Sequence, residues 1–180
     1  MKINVWSKTL LNLSGCLDNI ADSIDKIVLN YGLNGCARGN FYDSFRQMNK
    51  MIYLTKKKIT IINLKVLIEK CLFNLDELCQ KILILKYIDK NRTDTIIKVL
   101  NLSRRTYFRK YNQALTSFSC ELVKNGYDPE RLFEMLSDEA WILSIYDSLS
   151  KNNEKVEFID DYRIISMAKN NYKRIKVSNF

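Results

Sequence analysis

Histidine is absent from the 180 residues. That absence removes the commonest general base and the commonest neutral metal ligand. The five cysteines, Cys16, Cys36, Cys71, Cys79 and Cys120, contain no Cys-x-x-Cys pair and are odd in number. This argues against a zinc site and against a disulfide framework, and they read as small buried hydrophobes in a reducing cytoplasm. Glycine is scarce, and no Gly-Lys-Ser/Thr phosphate loop occurs. No stretch reaches the roughly 18 uninterrupted apolar residues of a membrane span. The opening MKINVWSKTL has no continuous apolar core, so no signal peptide is expected. The adjacent acidic pairs Asp138-Glu139 and Asp160-Asp161 would point about 100° apart on a helix and read as surface charge. The expectation is a cytoplasmic protein that is not an enzyme, needs no cofactor or metal and has no membrane partner.

A single proline among many Leu, Ile and Lys residues points to an all-α fold. Charge is unevenly spread. Residues 81–118 carry nine Lys/Arg against two Asp/Glu, whereas residues 119–150 carry two against seven. A local +7 followed by a local −5 suits a polyanion partner better than a uniformly basic surface would, although a solvated helical face produces such a run too.

Hydrophobic spacing divides the chain into three regions. In residues 1–73, Leu10, Leu13, Leu17, Ile20, Ile24, Ile27 and Tyr31 alternate steps of three and four, predicting one amphipathic helix from about Val5 to Tyr31. Its stripe fits packing within the chain or, alternatively, a homodimer seam. Gly32, Gly35 and Gly39 with Asn34 and Asn40 predict a loop. A further helical stretch covers about Tyr42 to Phe73, with the solvent-facing run Lys56-Lys57-Lys58 near a break and strand-like propensity at Ile59–Ile62. In residues 74–125, Asn74 with Glu77 predicts a helix start, and Leu75, Leu78, Ile82, Leu85 and Ile88 a stripe that stops at Asp89-Lys90-Asn91. A short helix over about Thr93–Leu100, a turn at Asn101-Leu102-Ser103 and a helix from Ser103 follow. Asn125-Gly126 is expected to end that helix, and in residues 126–180, Asp128-Pro129 predicts a cap and first helical position. The acidic stretch reaches about Ser150, with a restart at Ser137, a linker at Lys151-Asn152-Asn153 and a basic-ended helix over about Phe158–Ile175.

The helix from Ser103 carries the functional signal. At about 100° per residue, Tyr107, Tyr111, Ala114 and Phe118 fall in one narrow stripe, while Arg105, Phe108, Arg109 and Asn112 face away from it. Arginine pairs bidentately with guanine, asparagine with adenine, and an aromatic ring meets a thymine methyl group. Arg104 and Arg105 stand at a helix N-terminus, where the macrodipole disfavours cations by roughly 0.3–1 kcal/mol. A bound DNA backbone or base edge would explain them. Arg105, Phe108, Arg109 and Asn112 are therefore candidate base readers. Arg92, Thr93, Lys98, Ser103, Arg104 and Lys110 are candidate phosphate contacts.

The run from Leu78 to Phe118 resembles the helix-turn-helix in the fourth conserved region of bacterial sigma factors. It is more similar still to phage-type transcriptional regulators of the ArpU and RinA kind. The resemblance rests on Ile82-Leu83-Ile84-Leu85-Lys86-Tyr87 before Asp89, on Leu102-Ser103, on Ser103–Arg109 and on Ala114, Leu115 and Phe118. It departs at Ile97, where those proteins usually have Ala, and at Asn101, where they usually have Gly; Asn tolerates the left-handed conformation, so the turn is expected to survive. It implies a central three-helix unit flanked by further helices, with double-stranded DNA as partner and transcription as setting. No segment matches the promoter-melting region of sigma factors, so the resemblance implies a regulator or sigma-like accessory factor. The alternative is a protein-interaction module for RNA polymerase or another regulator, with Trp141, Ile142 and Tyr146 in the acidic stretch as contacts.

Overall fold

The computed structural model describes residues 2–36, 41–151 and 159–174. Among these the fold is all-α: nine α-helices and no strand. The helices are α1 (Lys2–Ser14), α2 (Leu17–Cys36), α3 (Phe41–Phe73), α4 (Glu77–Leu83), α5 (Thr93–Val99), α6 (Arg104–Lys124), α7 (Pro129–Met135), α8 (Ala140–Lys151) and α9 (Asp161–Arg174). A π-helical turn, Ile84–Ile88, extends α4. No helix of the described residues is long and apolar enough to cross a membrane.

The residues group into two compact units that interleave along the chain. One comprises Met1–Gly15 and Val66–Asp160, the other Cys16–Lys65 and Asp161–Phe180. This grouping differs from three consecutive regions, because segments distant in sequence supply one another's apolar cover. In the first unit, α1 packs on α6, α7, α8 and the π-turn, and buries Trp6, Leu10, Leu11 and Leu13. Trp6 meets Tyr146 at 4.6 Å and Phe133 at 4.9 Å between ring centroids. The α1–α6 contact also holds a polar link, in which the Ser7 and Ser119 hydroxyls lie 2.8 Å apart and Ser119 donates to Asn4 Oδ1. In the second unit, α2 packs on α9, and Ile20, Ile24, Ile164, Ala168 and Tyr172 are buried. Lys58–Asp25 and Lys65–Asp18 ion pairs join α3 to α2.

Several elements depart from the sequence expectation. The single helix over Val5–Tyr31 is broken at Gly15-Cys16, so its stripe divides between the two units. Leu10, Leu13, Leu17, Ile20, Ile24 and Ile27 are all buried within the chain and are not a homodimer seam. Gly32, Asn34 and Gly35 are helical, as α2 continues to Cys36; Gly39 and Asn40 lie outside the described residues. The stretch to Phe73 is one uninterrupted helix that includes Ile59–Ile62, and Lys57 in its charge run is buried with its ammonium 5.1 Å from the Tyr53 ring centroid. Asp76 rather than Asn74 caps α4: its carboxylate accepts from Cys79 N, while Asn74 donates to Glu121. Glu77 pairs forward with Lys81 instead of reaching back. The acidic stretch restarts at Ala140 rather than Ser137, and Lys151 is the last residue of α8. The last helix begins at Asp161, after non-helical Ile159 and Asp160; Asn152, Asn153, Phe158 and Ile175 lie outside the described residues.

Other local signals act as read. Asp128 caps α7 by accepting from Arg131 N, with Pro129 in the first turn. Gly126, at φ 82°, closes α6: Tyr127 N donates to Leu122 O and Gly126 N to Val123 O. This six-to-one and five-to-two pair is the Schellman arrangement, which satisfies carbonyls a helix end leaves open.

Candidate nucleic-acid interface

The candidate surface is built by α4 with its π-turn, α5 and α6. Helix α4 packs along α6, and α5 packs on the π-turn. The π-turn is defined by Asp89 N donating to Ile84 O, five residues back, at 3.0 Å. A wider turn advances less per residue than an α-helix. That lag brings Tyr87 round to the buried side and leaves Ile88, the last of the expected stripe, 40% exposed. Tyr87 and Tyr111 then share a buried hydroxyl–hydroxyl hydrogen bond of 2.8 Å, which ties the first helix to the third. Lys86 is also buried, and its ammonium donates to Thr93 Oγ1 at 3.1 Å, fastening the π-turn to the start of α5.

The turn between α5 and α6 depends on one backbone conformation. Asn101 sits at φ 50°; Leu102 N donates to Ile97 O at 3.0 Å, and Asn101 N to Lys98 O at 3.2 Å. Asparagine reaches the left-handed region with less cost than other residues bearing a Cβ. Asn101→Ala should therefore lower stability by about 1 kcal/mol, while Asn101→Gly should lose nothing. Denaturant midpoints of the two variants check this, and equal midpoints would show that the turn is not under this constraint. Ser103 then caps α6: its hydroxyl accepts from Thr106 N at 3.1 Å and lies 2.8 Å from Thr106 Oγ1.

Helix α6 has two chemically distinct faces, as its spacing predicts. Tyr107, Tyr111, Ala114 and Phe118 are buried, together with Leu115 and Leu122. Tyr107 and Tyr111 stack at 6.0 Å with 12° between planes. On the other side Arg105, Arg109 and Asn112 are exposed, Arg104 is exposed on the flank, and Phe108 is 42% exposed beside Tyr107. The first turn of α6 contains no acidic residue, so nothing on that turn offsets its cations.

The expected phosphate contacts are less uniform. Arg92 and Lys98 are exposed. Thr93 is half-buried, and its hydroxyl oxygen already accepts from Lys86. The Ser103 hydroxyl is engaged in the α6 cap. Lys110 is half-buried and donates to Gln113 Oε1 at 3.1 Å, although its flank position leaves the ammonium near the surface. Arg104, Arg92 and Lys98 are thus the candidates whose charge is freely presented, while Thr93 and Ser103 mainly shape the turn. Lys86 is the cation whose place spacing alone did not reveal, because its burial follows from the π-turn.

The cysteines divide by environment. Burial pushes the Cys79 thiol up to about 12, with the Asp76 carboxylate adding to the shift, and burial with Glu121 nearby pushes Cys71 up to about 11. The hydrogen bond from Cys79 in turn holds the Asp76 carboxyl below its ordinary range. Both thiols stay protonated at neutral pH, and Cys16 is buried as well. Cys120 breaks the expected pattern and is exposed on α6. Among the described residues no cluster of cysteines and carboxylates is placed to hold a metal ion.

The acidic stretch is not the surface the sequence suggested. Trp141, Ile142 and Tyr146 are buried in the first unit. Glu139, read as surface charge, is 1% exposed and accepts the Trp141 indole N–H at 2.8 Å. An amphipathic α8 turns its aromatic face to α1, so those side chains are not available to a partner.

Residues 53–119 match a family described as a protein of unknown function, DUF1492. The matched span runs from within α3 through most of α6 and so contains every candidate contact residue from Arg92 to Asn112. No match was found among curated proteins or among solved structures.

Proposed function

We propose that α4–α6 form a helix-turn-helix that binds double-stranded DNA in a sequence-specific way, and that the protein acts as a transcriptional regulator or sigma-like factor. The observation that carries this reading is the division of α6. Its aromatic face is buried, and Arg105, Phe108, Arg109 and Asn112 stand out from the opposite side near the N-terminal end. A recognition helix enters the major groove with its N-terminal residues foremost, so these side chains are in position to meet base edges. Arg104, Arg92 and Lys98 supply backbone contacts that set register. The left-handed turn at Asn101 and the Tyr87–Tyr111 bond support the reading, since base reading demands a helix held rigidly by its neighbours. The similarity of Leu78–Phe118 to sigma region four and to ArpU- and RinA-type regulators supplies transcription as the setting.

Selection of bound fragments from a random double-stranded DNA pool, followed by salt titration on the recovered sequence, tests the proposal. A recurrent motif and an affinity that falls steeply with salt are expected, because each phosphate neutralised releases condensed counterions. Recovery of no motif, or binding that ignores salt, would sink it.

A further inference from the structure

Helix α3 carries a second apolar face that the fold does not use. Within the second unit, Leu54, Ile61 and Leu64 are buried. On the opposite side of the same helix, Phe45 is 54% exposed, Met48 48%, Ile52 47%, Ile59 52% and Ile62 43%. These positions, completed by Thr55, repeat with steps of three and four and recur every seven residues. Phe45, Ile52 and Ile59 occupy one seam position, and Met48, Thr55 and Ile62 the other. The same alternation packs within the chain along Leu10–Ile27, whereas on α3 it stays exposed. A seven-residue repeat keeps one such seam facing a second helix that supercoils with the first.

We infer that this seam is the contact between two copies of the chain, which pair α3 on α3 as a two-stranded coiled coil. Three observations select a second copy as the occupant. First, the seam is self-complementary: the same alternation of bulky apolar residues supplies both knobs and holes. Second, the flanks tolerate an identical helix. In a parallel, in-register pair Met51 lies opposite Lys56 of the second copy, and Lys58 opposite Asn63, so no two like charges meet. The Lys58 charge is moreover already offset by Asp25 at 2.6 Å. Third, the area is sufficient. Five half-exposed side chains present on the order of 500 Å² per copy, at the upper end of what a monomer leaves in one patch. Two such stripes, with the lysine stems beside them, reach the roughly 1,000 Å² at which specific interfaces begin. Thr55 is the single polar seam residue, and its hydroxyl is satisfied by Met51 O at 2.9 Å, so it costs the pair packing rather than an unmet hydrogen bond.

Sedimentation equilibrium on the full chain, over a concentration series reaching about 100 µM, tests the inference with two variants. The wild-type chain should be dimeric. Ile52→Lys/Ile59→Lys should raise the dissociation constant at least about 100-fold with unchanged helical circular dichroism. Thr55→Ile should tighten the pair about tenfold, because it replaces the one polar seam residue. A wild-type chain that stays monomeric throughout overturns the inference, as does a dimer that the double lysine variant leaves intact. Should that variant lose helicity, Thr55→Ile decides: a tighter dimer supports the seam, and an unchanged constant overturns it. None of these readouts involves DNA, so the outcome is independent of the proposed function.

Discussion

Replacing Arg105 and Arg109 together by alanine should reduce affinity for the preferred DNA site by about 2–6 kcal/mol, from two bidentate base contacts of about 1–3 kcal/mol each. Both side chains are exposed and bonded to nothing else that the fold requires, so the unfolding midpoint should stay within about 0.5 kcal/mol of wild type. The variant separates recognition from stability, and Arg104→Ala provides the contrast. Arg104 lies on the flank of the helix, where a side chain meets phosphate rather than base edges. Its loss should weaken binding to every sequence alike and flatten the salt dependence by about one counterion. Loss at Arg105 and Arg109 should instead relax preference at particular base positions. Salt-titrated binding to the selected site and to single-base variants reads both effects. If the double variant bound the site as tightly as wild type, α6 would not be the reading helix.

Phe118→Ala should be among the most destabilising single substitutions in the first unit. Phe118 is 0% exposed and lies on the same α6 stripe as Tyr107, Tyr111 and Ala114. Removing a fully buried phenyl ring from a close-packed interior costs about 3–5 kcal/mol, part transfer and part cavity. Phe108→Ala, ten residues earlier on the outward face of the same helix, should cost less than about 1 kcal/mol, since that ring is already 42% exposed. The two phenylalanines therefore report on the two faces of one helix by chemical denaturation. Equal costs would mean that α6 is not seated as described. A loss of DNA affinity in Phe108→Ala without loss of stability would place that ring at the DNA, as the proposal requires.

How much of this was legible beforehand can be seen along α6 itself. Its inward aromatics, its outward arginines, its start at Ser103 and its Gly126 stop all follow from spacing and end chemistry within a few residues. The left-handed Asn101 was legible for the same reason, as few residues accept that conformation. Tyr87 was not legible as a core residue. Counting at a uniform 100° puts it away from the stripe of Ile82, and only the wider π-turn brings it inward to meet Tyr111. Trp141 and Glu139 misled in the other direction. Composition marked that stretch as acidic surface, but the indole and the carboxylate are buried together and share a hydrogen bond.

The sequence by itself therefore determined the all-α class, most helix positions and the two faces of α6. Periodicity and capping are local, and a chain with one proline and few glycines has little alternative to helix. Only the tertiary structure decided what each apolar stripe is for. The stripe from Leu10 to Ile27, which looked able to join two copies, is consumed within the chain once Gly15-Cys16 breaks the helix. On α3 the face of Leu54, Ile61 and Leu64 went inward and that of Ile52 and Ile59 stayed out. Both faces are apolar, so hydrophobicity could not rank them; burial went to the face that the surrounding chain, α2 included, could reach and close-pack.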